Sequence, residues 1–428
     1  MASFDECSGT PPGSDLLTWL APFMGEGVEK IDFVDFKDSG GLSGASMRFL
    51  EIVGAEGEKR FVFKTIPPNG EARSKSLGLF RESYFYNIIA PQVANTVSLP
   101  LVPYAYGSHE SGAKTIVMED LSTSCIQSGY YFGPGSPLNW GPNYKSVNVG
   151  TTDLESIALD AFSNAAKLHS HFWLDKSLLQ HDWLRGSKWL HGDEQLEAWK
   201  ASQNVSLGYW TQVKAKIEAG TSGVNWNTDL IACMDSSFAK ISWQVYQEEV
   251  SRRPWTLVHG DFHPGNIMWK SETEGEGEES KARSVLLDWE MVGIGSGPQD
   301  LAQYLISHTE PTTRATCEKR LVQAYYQLLT DASSKVDAAV YPWESCWLDY
   351  VEGGCGRWVW LLAVRTSDFK LLSILYTLYT LYILYTLYTL YILYTLCRTR
   401  LSVYTKVTRN STYTGCTVCT LSFLVPLL

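Results

Sequence analysis

The chain has no surplus of positive charge: 35 Lys and Arg stand against 46 Asp and Glu, a formal net charge of −11. That balance argues against a general nucleic-acid binder, whose surface is normally basic. Cysteine pairs at metal-ligand spacing are also missing. The nine cysteines are scattered, and Cys416-Thr-Val-Cys419 has no partner pair, so a zinc site is not expected. No basic, apolar, small-residue leader opens the sequence, which points to a reducing, cytoplasmic compartment. The stretch Gly293-Ile-Gly-Ser-Gly-Pro298 lacks the Lys-Ser/Thr ending of a P-loop and reads instead as a flexible segment. Global disorder is excluded too, because hydrophobic residues make up 45% of the chain and charged residues only 19%. At 428 residues the chain is long enough for two lobes and a sizeable core.

What is present centres on Leu257-Val-His-Gly-Asp261-Phe-His-Pro-Gly-Asn266-Ile-Met268 and on Val285-Leu-Leu-Asp288-Trp-Glu290. In both, a short apolar run that reads as a buried strand delivers acidic or amide groups at its end. Asp261 and Asn266 lie five apart around a Pro-Gly turn, and Asp288 follows on the next strand. Phosphoryl transfer from a nucleotide uses that set of groups. One carboxylate accepts the proton of the attacking hydroxyl, while an amide oxygen and a second carboxylate hold Mg²⁺ on the phosphates. The spacing matches the protein-kinase pattern, with His259-Gly-Asp261 in place of H-R-D and Asp288-Trp-Glu290 in place of D-F-G. A second tripeptide, His191-Gly-Asp193, has Ala198 where the Asn would be and no apolar strand before it, and reads as a surface turn.

These motifs resemble those of the aminoglycoside phosphotransferase and choline kinase superfamily, and within it the ecdysteroid-kinase-like group. The resemblance implies an α+β, two-lobed protein-kinase-like fold: a small antiparallel β-rich N-lobe and a larger, mainly helical C-lobe. It implies ATP and Mg²⁺ as cofactors and a small-molecule hydroxyl as phosphoryl acceptor. Asp261 would be the catalytic base and Asn266 and Asp288 the metal ligands. His259 would support the loop, and Asp300, near the start of a helix at Pro298, would brace it.

Upstream, Gly40-Gly41-Leu42-Ser43-Gly44 precedes a strand candidate at Met47–Val53. Such a turn can bring the backbone N–H groups of Gly41, Ser43 and Gly44 against phosphate oxygens, although a plain hairpin turn reads equally well. Lys64 sits late in the apolar run Arg60-Phe-Val-Phe-Lys-Thr-Ile66. In a kinase that lysine binds nucleotide phosphates and pairs with a glutamate on the next helix. The segment Leu79–Ile89 has helical spacing and offers Glu82, with Arg81 beside it as a competing, solvated partner. A strand ending in Met118-Glu119-Asp120-Leu121 looks like the family's linker between lobes, where backbone groups would meet adenine.

The expected division is an extension over 1–30, a nucleotide-binding lobe over 31–121, a catalytic and acceptor-binding lobe over 122–369 and a tail over 370–428. Helices are expected over Thr152–Trp173, Glu194–Ser202, Leu207–Glu218 and Asp229–Arg252, and the histidines at 169 and 171 receive no role. The acidic run 271–280 reads as a solvated hairpin loop. In the tail, LYTLYTLYI at Leu375–Ile383 repeats at Leu384–Ile392 with an inner period of three that suits neither helix nor strand. It reads as translated simple-repeat nucleic acid. The alternative is a membrane anchor over 371–396, and a membrane partner is expected only if that run inserts. Two other readings of the whole chain stay open, a nucleotide-binding pseudokinase and a membrane-tethered interaction protein.

Overall fold

A computed structural model describes residues 28–35, 45–54, 57–67, 69–139, 147, 149, 152–190, 192–222, 226–270, 283–331 and 334–367. The glycine turn with Gly41, Ser43 and Gly44, the acidic run and the repeat lie outside the described residues. By internal contacts the chain forms two units. One holds residues up to Gln127 together with Asn266–Val292, and the other holds Ser128–Gly265 together with the chain from Gly293.

In the first unit, strands β1 (Val28–Asp35), β2 (Ser46–Gly54), β3 (Gly57–Thr65), β4 (Tyr104–Gly107) and β5 (Lys114–Glu119) form one antiparallel sheet in the order β1-β2-β3-β5-β4. Alternation decides its faces. Leu50 pairs with Phe61 and Phe63 with Val117, and this side builds a cluster of Leu50, Ile52, Phe61 and Val117 with Ile31 and Tyr104 against it. The opposite side carries Lys64, paired with Ile116, and two residues before Ile116 it carries Lys114. Register therefore sets two lysines on one face. A second antiparallel sheet has Ile267–Lys270 between Cys125–Gln127 and Ser284–Leu286.

The helix expected over Leu79–Ile89 begins as α-helix at Arg81–Tyr84, widens into a π-helical turn at Phe85–Ile89, and resumes at Ala90–Val93. Pro91 explains the irregularity, since it has no N–H to continue the regular ladder. Phe85 on that turn stacks on Trp289, with ring centroids 3.7 Å apart and planes 8° from parallel. Both rings are wholly buried.

The second unit is mainly helical. Its central helix, Pro298–His308, is buried along nearly its whole length and packs against Pro311–Leu329 and Trp343–Ser367. Leu154–His171 in turn packs on Pro311–Leu329. A short antiparallel pair, Thr256–Val258 with Gly293–Gly295, carries the chain into the His259 loop. The expectation of an α+β chain with an antiparallel β-rich part and a larger helical part therefore holds. Two details differ from the sequence reading. The helices expected at 194–202 and 207–218 are one helix, Leu196–Glu218: Gly208 has open space around it, while Trp199, Trp210 and Val213 anchor the element on either side. Conversely 229–252 is two helices, Thr228–Ala239, which ends at the Lys240 C-cap, and Trp243–Arg252, which Ser242 caps by accepting from the Val245 N–H. No helix among the described residues is long and apolar enough to cross a membrane.

Candidate active site

The first unit gathers five ionisable groups on the lysine-bearing face of its sheet. Lys64 Nζ lies 2.7 Å from Glu82 Oε2, 2.7 Å from Asp288 Oδ1 and 3.0 Å from Glu290 Oε1. Lys114 Nζ lies 2.9 Å from the same Glu82 oxygen and also contacts Glu290 Oε1. Both lysines, Glu82 and Glu290 are buried, whereas the Asp288 side chain is 34% exposed. Charges so placed persist only when paired, and here each has a partner. Burial alone would lower Lys64, but Asp288, Glu290 and Glu82 together hold its pKa well above the ordinary lysine value. Burial, and then the neighbouring Glu290 carboxylate, push Asp288 up to about 6. Burial would raise Glu290 as well, yet Lys64 and Lys114 outweigh it and hold that carboxyl at about 2.

Local chain geometry delivers these groups. Asp288 has φ 64°, in the left-handed region that an aspartate adopts at some cost, just before the short turn Trp289–Met291. The buried Trp289 that follows fixes this bend through its stack on Phe85, and Phe85 is three residues from Glu82 on the same helix. Arg81 does not compete for Lys64 in solvent. It is buried, and its guanidinium donates to the Leu77 and Gly78 carbonyls at the end of the Glu71–Leu77 helix. Burial lowers its pKa to about 10.

Asn266 ends a 3₁₀ turn in the same unit, and its carbonyl accepts from the Leu287 N–H at 2.9 Å, so it lies one strand away from the residue preceding Asp288. Met118 is buried on β5. The Glu119 carboxylate accepts from the Leu101 N–H at 2.7 Å, and its own N–H donates to the Leu101 carbonyl. Leu121 opens the turn Leu121–Thr123, capped by Asp120, which also pairs with Arg60.

Asp261 belongs to the second unit. Its Oδ1 accepts from Gln303 Nε2 at 2.6 Å, and its Oδ2 lies 3.6 Å from His263 Nε2. The Gly265 N–H donates to His263 Nδ1 at 3.0 Å, so in the neutral ring the proton sits on Nε2, facing Asp261. The His263 ring stacks on His308. Behind the loop, the wholly buried Asp300 accepts from the His259 N–H at 2.7 Å and from the Gly260 N–H at 3.0 Å. Gly260 takes φ 78°, a conformation that a side chain would strain. His169, which carried no role in the sequence, stands behind Asp300: its Nε2 is 3.4 Å from Asp300 Oδ2 and its Nδ1 is 2.9 Å from the Tyr325 hydroxyl.

Four participants escaped the sequence reading. Lys114 and Glu290 join the Lys64 cluster, and Gln303 and His263 flank Asp261. Lys114 opens the strand that ends in Met118-Glu119, with no local motif around it. Only its register with Lys64, through Ile116, would have marked it.

Residues 211–338 match the ecdysteroid kinase-like family, a span that contains Asp261, Asn266, Asp288 and Asp300. The resemblance to the ecdysteroid-kinase-like group read from the motifs thus holds over this span. No curated protein sequence matches the chain. Among solved structures, the chain is similar to a Plasmodium vivax ethanolamine kinase at 12% identity, covering 82% of this chain and 80% of that one with a TM-score of 0.42. An aminoglycoside-3′-phosphotransferase of type VIII aligns at 15% identity over 75% of this chain and 94% of its own, TM-score 0.34. A spectinomycin phosphotransferase, solved with ADP and spectinomycin, aligns at 11% identity over 86% and 100%, TM-score 0.36.

Proposed function

We propose that this protein is an ATP- and Mg²⁺-dependent phosphotransferase that moves the γ-phosphoryl group to a hydroxyl of a small molecule. One observation carries the reading: a buried lysine on a central strand, 2.7 Å from both a helical glutamate and Asp288, within a chain whose 211–338 span matches ecdysteroid kinase-like proteins. Lys64 holds nucleotide phosphates and Glu82 holds Lys64. The donor set fits a divalent cation. Carboxylate oxygens of Glu82, Asp288 and Glu290 lie within 4.8 Å of one another, and three acids against two lysines leave one surplus negative charge, on the most exposed member, Asp288. Asp288 and Asn266 would hold Mg²⁺, which when bound neutralises phosphate charge. Asp261 accepts the acceptor hydroxyl's proton on a carboxylate whose two oxygens are oriented by Gln303 and His263.

The test is Mg²⁺-dependent ATP turnover by the full-length protein with a panel of sterol-like, choline-like and aminoglycoside-like alcohols. Acceptor-dependent turnover that disappears in Asp261→Ala and in Asp288→Ala is the expected result. Nucleotide binding without turnover on any acceptor would favour an inactive nucleotide-binding protein. No nucleotide binding by the folded protein would overturn the reading.

A further inference from the structure

Lys64 and Lys114 do not bind separate partners. They converge on the same two atoms, Glu82 Oε2 and Glu290 Oε1. The result is a closed ring of alternating charge, two ammonium groups and two carboxylates, to which Asp288 is joined through Lys64 at 2.7 Å. Lys114 is 1% exposed, more enclosed than Lys64 at 6%, and lies at the start of β5. Within the ring the charges cancel. Asp288 remains as the uncancelled, partly exposed carboxylate.

Removing Lys114 would break this balance in a definite direction. Two buried carboxylates would then face a single ammonium group, and a buried, under-compensated carboxylate is costly enough that Lys64, already 2.7 Å from Glu82 and 3.0 Å from Glu290, would be held more tightly between them. Its Nζ would leave the Asp288 side, and its charge would be absorbed inside the ring. Lys114 thereby determines whether the charge of Lys64 is delivered outward.

We propose that Lys114 is a positioning residue for nucleotide binding: by neutralising Glu82 and Glu290 it keeps the Lys64 ammonium group at Asp288 and available to phosphate. This rests on the nucleotide reading of Lys64 and adds a second, buried lysine and the terminal glutamate of Asp288-Trp-Glu290 as its regulators. A lysine that merely filled space or closed an ion pair would affect stability alone.

The experiment measures binding of ATP with Mg²⁺, and of ADP without metal, by titration calorimetry on the full-length protein, together with thermal unfolding. Four variants are compared: Lys114→Met, Lys114→Arg, Glu290→Gln, and Lys114→Met combined with Glu290→Gln. Lys114→Met is expected to weaken both nucleotides by about tenfold, the size of coupling seen between groups in one charge network. Lys114→Arg keeps the charge and should bind both nucleotides more tightly than Lys114→Met. The double variant restores one-to-one balance and binds more tightly than Lys114→Met. Should Lys114→Met fail to fold, the double variant is compared with Glu290→Gln: affinity equal or higher supports the proposal, lower overturns it. Unchanged affinity in Lys114→Met, or a double variant no better than that single one, overturns it while leaving the nucleotide reading intact. If the folded wild type binds neither nucleotide, the functional reading fails and this proposal falls with it.

Discussion

Replacing Asp300 with alanine removes the carboxylate that holds the backbone beneath Asp261. Two hydrogen bonds are lost, from the His259 N–H at 2.7 Å and the Gly260 N–H at 3.0 Å, both to an acid that is 1% exposed. A hydrogen bond to a charged acceptor contributes about 1.5–3 kcal/mol net, so the pair amounts to about 3–6 kcal/mol. That is a large share of the about 5–15 kcal/mol that separates a typical domain from its unfolded state. The variant also removes the acceptor of two buried amides. Asp300→Asn is the sharper comparison, because one amide oxygen can still accept while the NH₂ group faces an N–H donor. It should lose about half as much. Urea denaturation followed by tryptophan fluorescence gives the loss, and hydrogen exchange at His259 and Gly260 localises it. In the wild type these two amides should exchange only with opening of the second unit; in the alanine variant they should exchange at least about a hundredfold faster, as a loss near 3 kcal/mol requires. An alanine variant with unchanged unfolding midpoint and unchanged protection at both amides would refute the bracing role.

Three further outcomes follow from contacts described above. Gln303→Leu removes the donor on Asp261 Oδ1 and should reduce kcat by about tenfold to a hundredfold, with the KM for ATP little changed; steady-state kinetics at varied ATP and acceptor will separate the two. Trp289→Ala deletes the ring stacked on Phe85 and should destabilise the first unit by about 3–5 kcal/mol in chemical denaturation. Asp153 caps the Leu154–His171 helix by accepting from the Ser156 N–H at 2.9 Å, so Asp153→Ala should cost about 1 kcal/mol. That backbone hydrogen bond holds the Asp153 pKa below 3.8, so its stabilisation is complete above that value and disappears as the pH falls through the folded-state pKa. The gap between wild type and variant should begin to narrow as the pH falls below 3.8, as denaturation at pH 7 and at a series of lower acid pH values will show.

The groups most legible in the sequence are those that local spacing can announce. Asp261 and Asn266 sit five apart on one turn, Asp288 ends an apolar run, and a lysine late in a β-strand followed by a helix with an interior glutamate points to Lys64 and Glu82. Lys114, Glu290 and Gln303 carry no such signature, because each meets its partner through strand register or helix packing across long stretches of sequence. Lys114 shares a face with Lys64 only because Ile116 pairs with Lys64. Gln303 reaches Asp261 from a helix 42 residues downstream. The α+β class followed from the resemblance that the sequence motifs carry, not from composition or periodicity. The break at Ser242 and the continuity through Gly208 were not legible, since tertiary anchors such as Trp199 and Trp210 outweigh local propensity there.

Strand Ile267–Lys270 lies between Cys125–Gln127 and Ser284–Leu286, so the first unit is assembled from stretches of sequence that the whole of Ser128–Gly265 separates. During synthesis, which proceeds from the N-terminus at about 5–20 residues per second, the five-stranded sheet can emerge with both of its lysines before any of Asp288, Trp289 or Glu290 exists. For that interval Glu82 alone answers two ammonium groups, and Phe85 has no ring to stack on. The nascent sheet therefore carries excess positive charge in what will become its interior, and its last ion pairs close only after the intervening helices have left the ribosome. Late closure of that kind favours a long-lived, incompletely packed nascent chain, and it makes the order of translation itself part of how this protein reaches its native state.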